Sequence, residues 1–123
     1  MKIETFTTQV VTLPRDVGAL DEAPEQVSTD FVTLRFKTDE GAEGIGYACF
    51  AAPVMTKALK EVLDALAAEV IGLDPLRIEA IGEKLLEIGG RGAAAGLVTR
   101  AVSAIDVALW DLKGKVTGPP LWK

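Results

Sequence analysis

At Pro53 the spacing of apolar residues changes from every second position to every third or fourth, and this switch restricts the possible folds more than any other feature of the sequence. Upstream, "FVTLRFKT" puts Phe31 or Val32, Leu34 and Phe36 at alternate positions, so one face of a strand can turn to a core. "EGIGYACF" repeats the alternation, with Ile45, Tyr47 and Cys49 on one face. Downstream, "VMTKALKEVLDALAAEVIG" brings Leu59, Val62, Leu63, Leu66 and Val70 onto one helical stripe, opposite Lys60, Glu61 and Asp64, with Gly72 as its stop. Strands followed by helices, without alternation between the two, predict an α+β fold: a three-stranded antiparallel meander with three helices packed on it.

The remaining elements fit that order. Residues 2–13, "KIETFTTQVVTL", carry Ile3, Phe6, Val10, Val11 and Leu13 among threonines, which reads as a strand of imperfect alternation ended by Pro14. Arg15 to Val27 mixes glycine, proline and acids and reads as a long loop; such loops in compact domains are disproportionately functional. A second helix opens at Asp74, a natural N-cap followed by Pro75, buries Ile78, Ile81, Leu85 and Ile88, and closes at Gly89 and Gly90. The third runs from about Ala93 to Val116, with Leu97, Ala101, Ala104, Ile105, Ala108, Leu109 and Leu112 on one side, and "TGPP" ends it.

With 123 residues the chain suits one domain, residues 1–123, with a single core. A net charge of −5 without any lysine or arginine run argues against nucleic acid or an anionic membrane as partner. No apolar run reaches the roughly 20 residues that cross a bilayer, and the start lacks a signal-peptide pattern, so a cytoplasmic protein is expected. The sequence contains no histidine, which excludes Ser/His/Asp and Cys/His catalysis and histidine-bearing zinc sites within these residues. Cys49, the one cysteine, reads as a structural thiol because nothing here would activate it.

Three glycines in "TDEGAEGIGYACF" invite comparison with phosphate-binding loops. Gly41, Gly44 and Gly46 give G-x-x-G-x-G leading into a strand, whereas a dinucleotide fingerprint is G-x-G-x-x-G opening a helix. No Gly-Lys-Ser/Thr follows, so all three read as shaping a hairpin corner. Asp106 and Asp111, five apart, lie about 140° apart around a helix and do not converge on a metal. Asp111 and Lys115 form an i, i+4 pair, while Asp106, beside the buried stripe, is expected to anchor to an arginine or lysine of another element or domain, for which Arg91 or Arg100 could serve. Trp110 is expected in the core; Trp122 is expected to pack on a surface outside these residues.

The segment "AVSAIDVALWDLKGKVTGPPLWK", Ala101 to Lys123, resembles the end of the N-terminal domain of the enolase superfamily, in its mandelate racemase and muconate lactonising enzyme group. Its usual form is an alanine-rich helix carrying A-I-D-x-A-L-W-D-L-x-G-K, in which Asp106, Trp110, Asp111 and Lys115 are the signature positions. An opening strand "KIE", a variable loop, strands joined by "TDEG" and "GxGY", and "PV" before the first helix extend the resemblance over essentially the whole chain. The resemblance implies a capping domain that works with a C-terminal (β/α) barrel, absent from these residues, which would carry the catalytic bases and the acids that hold Mg²⁺. No catalytic residue and no metal ligand is therefore expected in this chain. Substrate-selecting loops are expected at Arg15, Val17 and Leu20 and at Cys49, Phe50 and Ala51, with a small carboxylate as substrate and a homo-oligomer as the intact form. The implied chemistry is α-proton abstraction in a racemase or acid-sugar dehydratase, with the isolated domain inactive; the alternative is a binding or dimerisation module built around Trp110 and Trp122.

Overall fold

The computed structural model describes residues 1–15, 27–50, 53–90 and 95–122. Three strands come first: β1 (Ile3–Arg15), β2 (Val27–Thr38) and β3 (Glu43–Cys49), antiparallel throughout, in the order β1-β2-β3. A single 3₁₀ turn (Pro53–Met55) leads into α1 (Thr56–Ala68), followed by α2 (Ile78–Ile88) and α3 (Ala95–Thr117). The helices cover one face of the sheet, as the change of periodicity at Pro53 requires, and the fold is α+β.

Of the two options at the start of β2, Val32 is the inward one. With Leu34 and Phe36 it is completely buried, whereas Phe31 lies on the other face, edge-on to Tyr47 with ring centroids 5.8 Å apart. The pairing of β1 with β2 explains the imperfect alternation of β1. Its register shifts between Ile3 and Thr5, so the odd-numbered Ile3 and the even-numbered Phe6, opposite Phe36, can both serve the core. The strand does not stop at Pro14. Pairing continues through Pro14 with Ser28 to Arg15 with Val27, because β1 is an edge strand, where proline's missing N–H need not remove a ladder bond.

Leu59, Leu63 and Leu66 of α1 enter the core as their spacing predicts, followed by Val70 in the turn beyond its end. Gly72 does not continue the helix: its N–H donates to Ile3 O at 2.8 Å and Ile3 N–H returns to Leu73 O at 3.0 Å, which ties this turn to the start of β1. Asp74 caps a turn rather than α2. Its Oδ1 accepts from Leu76 N–H at 3.0 Å, and Arg77, at φ −88° and ψ 54°, holds the helix start back to Ile78. Ile78, Ile81 and Leu85 are buried, but Ile88, at the last turn, is half exposed because α2 has run past the core there. On α3, Ala101, Ala104, Ile105, Ala108, Leu109 and Leu112 are all buried and Leu97 packs against them.

Candidate functional site

β3 and α3 are the most intimately packed pair of elements that follow the hairpin, and the reason lies in two glycines. Gly44 and Gly46 sit on the inward face of β3, opposite Phe36 and Leu34, and their Cα atoms lie directly against the α3 main chain. A Cβ on Gly44 would stand 2.1 Å from Ala108 O, and one on Gly46 would stand 2.0 Å from Ala104 O. The two spacings match: residues two apart on a strand are about 6.6 Å apart, and residues four apart on a helix advance about 6 Å. Glycine on the strand and alanine on the helix thus let two backbones approach along a common line. Only Gly41, at φ +85°, shapes the hairpin by its conformation; Gly44 and Gly46 lie in regular strand, and the expectation that they form the corner is corrected on that point.

This close approach brings charged side chains of α3 to the outer edge of β3. The Asp111 carboxylate accepts a hydrogen bond from Ile45 N–H at 2.8 Å and holds Lys115 Nζ at 2.6 Å. Lys115 Nζ in turn donates to Glu43 O at 3.1 Å. At the far end of the strand, Arg100 Nη1 donates to Cys49 O at 2.7 Å, and the guanidinium carbon lies 4.5 Å from the centroid of the Phe50 ring. Residues 43, 45 and 49 all point their main-chain groups away from β2, so the three side chains reach three of the four outward positions, 43, 45, 47 and 49, along an otherwise open sheet edge.

The end of β3 is therefore a built feature, and it includes two of the residues expected to face a substrate. Cys49 is the last residue of the strand, half-buried, and Phe50 follows it beneath Arg100, also half-buried. Ala51, Val17 and Leu20 lie outside the described residues. Arg15 is placed by its backbone at the end of β1, paired with Val27, rather than in a loop. Asp111 and Lys115 form the expected i, i+4 pair.

Two other expectations are corrected. Asp106 is exposed, on the side of α3 opposite the buried Ala108, and Arg100 is engaged with Cys49 and Phe50 rather than with it; Arg91, the other expected anchor, lies outside the described residues. Trp110 shares that outward side, 39% exposed, with Lys113 Nζ 4.4 Å from its ring centroid. Trp122 is exposed as well. The role of Arg100 was not evident from sequence, although its spacing carried a signal. Arg100 and Asp111 are eleven residues apart, close to three whole turns, so they share one helix side with Lys115 and with the small Ala104.

A sheet with its helices on one face, an edge closed by charged side chains and, among the described residues, no group of three or more acids, cysteines or histidines able to hold a metal define an α+β domain without a metal centre in its described part. No described helix is long and apolar enough to cross a membrane. The chain belongs to the mandelate racemase / muconate lactonizing enzyme N-terminal domain family, whose model matches residues 3–123. It is 36% identical over 94 residues to a D-mannonate dehydratase of Novosphingobium aromaticivorans, a match covering 76% of this chain and 23% of that protein. It is 33% identical over 129 residues to a 3,6-anhydro-alpha-L-galactonate cycloisomerase of Streptomyces coelicolor, covering 98% of this chain and 34% of that one. Among solved structures, L-talarate/galactarate dehydratase from Salmonella typhimurium, liganded with Mg and L-lyxarohydroxamate, superposes with a TM-score of 0.82 at 26% identity over 98% of this chain and 32% of that chain. These relatives are enzymes in which the matched N-terminal domain accompanies a larger C-terminal part.

Proposed function

We propose that this chain is the substrate-capping domain of a sugar-acid dehydratase that abstracts the proton α to a carboxylate, with the bases and the Mg²⁺ site on a C-terminal barrel. The reading is carried by one observation: a family match from residue 3 to 123 whose relatives include sugar-acid dehydratases such as the D-mannonate enzyme. The described residues do not fit a metal, so no step of the reaction is assigned to a metal on this domain. Its own contribution is selection and exclusion of water. The end of β3, Cys49 with Phe50 after it, is read as facing the substrate held by the barrel, and the same selecting role is proposed for Arg15, Val17, Leu20 and Ala51. Apolar groups there favour one substrate outline, and a closed cap lowers the local dielectric around the reacting carboxylate.

In the intact enzyme Phe50→Ala is expected to raise KM for the preferred sugar acid about tenfold and to flatten selectivity across a panel of aldonates and aldarates. An unchanged kcat/KM for every member of the panel would take the β3 segment away from the substrate. The isolated 123 residues are expected to give no Mg²⁺-dependent turnover; measurable turnover would overturn the division of labour. A second chemistry, cycloisomerisation, is favoured by the relative that matches 98% of the chain, and product analysis by NMR separates it from dehydration.

A further inference from the structure

We infer that Arg100 is a positioning residue for the substrate-facing segment after β3. This inference rests on the capping reading above and extends it from the loop to the helix side chain that sets the loop's departure point. Arg100 grips two consecutive residues by two different kinds of contact. Its Nη1 donates to Cys49 O at 2.7 Å, the last main-chain acceptor of the strand, and its guanidinium carbon lies over the Phe50 ring, 4.5 Å from the centroid. The first contact fixes where the chain leaves the sheet. The second fixes which way the next side chain points.

No other described side chain bonds to either residue: Phe50 is otherwise partly buried against the core, and Cys49 is a free thiol. Guanidinium is well suited to the double task because it is planar, permanently charged, and able to stack while donating in its plane. Arg100 is itself held to the strand through α3, whose main chain is in direct contact with Gly46 three residues before Cys49. The departure geometry is therefore referred to the seam where the β3 and α3 backbones meet directly. A misplacement of about 1 Å at a substrate-orienting group can cost on the order of a hundredfold in rate, so an anchor of this kind has kinetic consequences without touching substrate.

The test uses the full-length enzyme and two readouts. Alkylation of Cys49 by a maleimide, followed peptide by peptide by mass spectrometry, reports the order of the strand end independently of turnover. Arg100→Ala is expected to speed that alkylation several-fold and to lower kcat/KM about tenfold, mainly through KM. Arg100→Lys, which keeps the donor and loses the flat face, is expected to fall between the two in both readouts, with the thermal midpoint of all three proteins alike. An unchanged alkylation rate in Arg100→Ala would overturn the positioning role whatever the kinetics. Faster alkylation with unchanged kcat/KM would uphold the anchor and overturn the proposal that the β3 segment faces substrate. Equal kinetic loss in the lysine and alanine variants would overturn the hydrogen-bonding half of the inference, and a lysine variant that matches the parent in both readouts would overturn the stacking half.

Discussion

The hairpin corner and the strand that follows it carry three glycines within six residues, yet they use glycine for unrelated reasons. At Gly41 the backbone adopts φ +85° and the space where a Cβ would go is open. At Gly44 and Gly46 the backbone is ordinary strand and the space is filled by carbonyl oxygens of α3. In the first case conformation excludes other residues; in the second, volume does. The distinction matters because a strained residue can relax its own dihedral angles, whereas a Cβ driven into a neighbouring main chain must move a whole helix.

Gly46→Ala should therefore be the most damaging single change. Its Cβ would lie 2.0 Å from Ala104 O, an atom that no side-chain substitution removes. A loss of about 3 kcal/mol or more is expected, at the upper end of overpacking, and chemical denaturation would measure it. Shrinking Ala104 to Gly should restore nothing, since the obstructing atom is backbone. Recovery in that double variant would show that the seam yields more readily than its geometry says.

Gly89→Ala supplies the control. Its Cβ would meet Val98 Cγ1 at 2.4 Å, a side-chain atom, so the obstruction can be deleted. A loss of about 1–2 kcal/mol is expected for the single variant, with a favourable coupling when Val98→Ala is added. Additive losses in the double-mutant cycle would mean that the two sites do not share the predicted contact. Gly41→Ala follows at about 1–2 kcal/mol, the cost of a left-handed backbone for a residue with a Cβ, and Gly41→Asn should cost less. The same asparagine at position 46 should be as disruptive as alanine or worse, a reversal that only the difference between conformation and volume predicts.

The same difference marks what could be read from sequence. The order of elements, the inward faces of β2 and the stripes of α1 and α3 follow from periodicity, because burial acts on every residue of an element and leaves a repeating trace. The G-x-x-G-x-G spacing reads as a hairpin corner throughout, because a glycine required by φ and one required by a neighbour look alike in one dimension. Contacts between elements leave no local trace. Arg100 reaches Cys49 across 51 positions and Asp111 reaches Ile45 across 66, so neither pairing was legible until the strand and helix were laid side by side. Asp106 shows the converse: its place beside Ile105 suggested a buried carboxylate, yet about 100° of helix rotation carries the next residue away from the core. Of the candidate site, Cys49 and Phe50 were legible as a strand end, while the group that holds them was not.

The smallest effects should come from the charged groups along the β3 edge. Asp111→Asn keeps an acceptor for Ile45 N–H but weakens the hold on Lys115, whose side chain is half exposed. Exposed pairs of this kind contribute about 0.5 kcal/mol, so stability should barely change and the small difference should vanish in high salt. Removing both side chains, in Asp111→Ala with Lys115→Ala, should still cost little in unfolding free energy, since water can satisfy Ile45 N–H and Glu43 O. What changes is the character of the edge. Main-chain groups of a β-strand left without charged neighbours are a template for another strand, so the double variant is expected to associate more readily with rising concentration than the parent chain. Sedimentation of both proteins would read this directly. Identical behaviour would mean that the bulk of α3, rather than the charges it carries, is what closes the sheet.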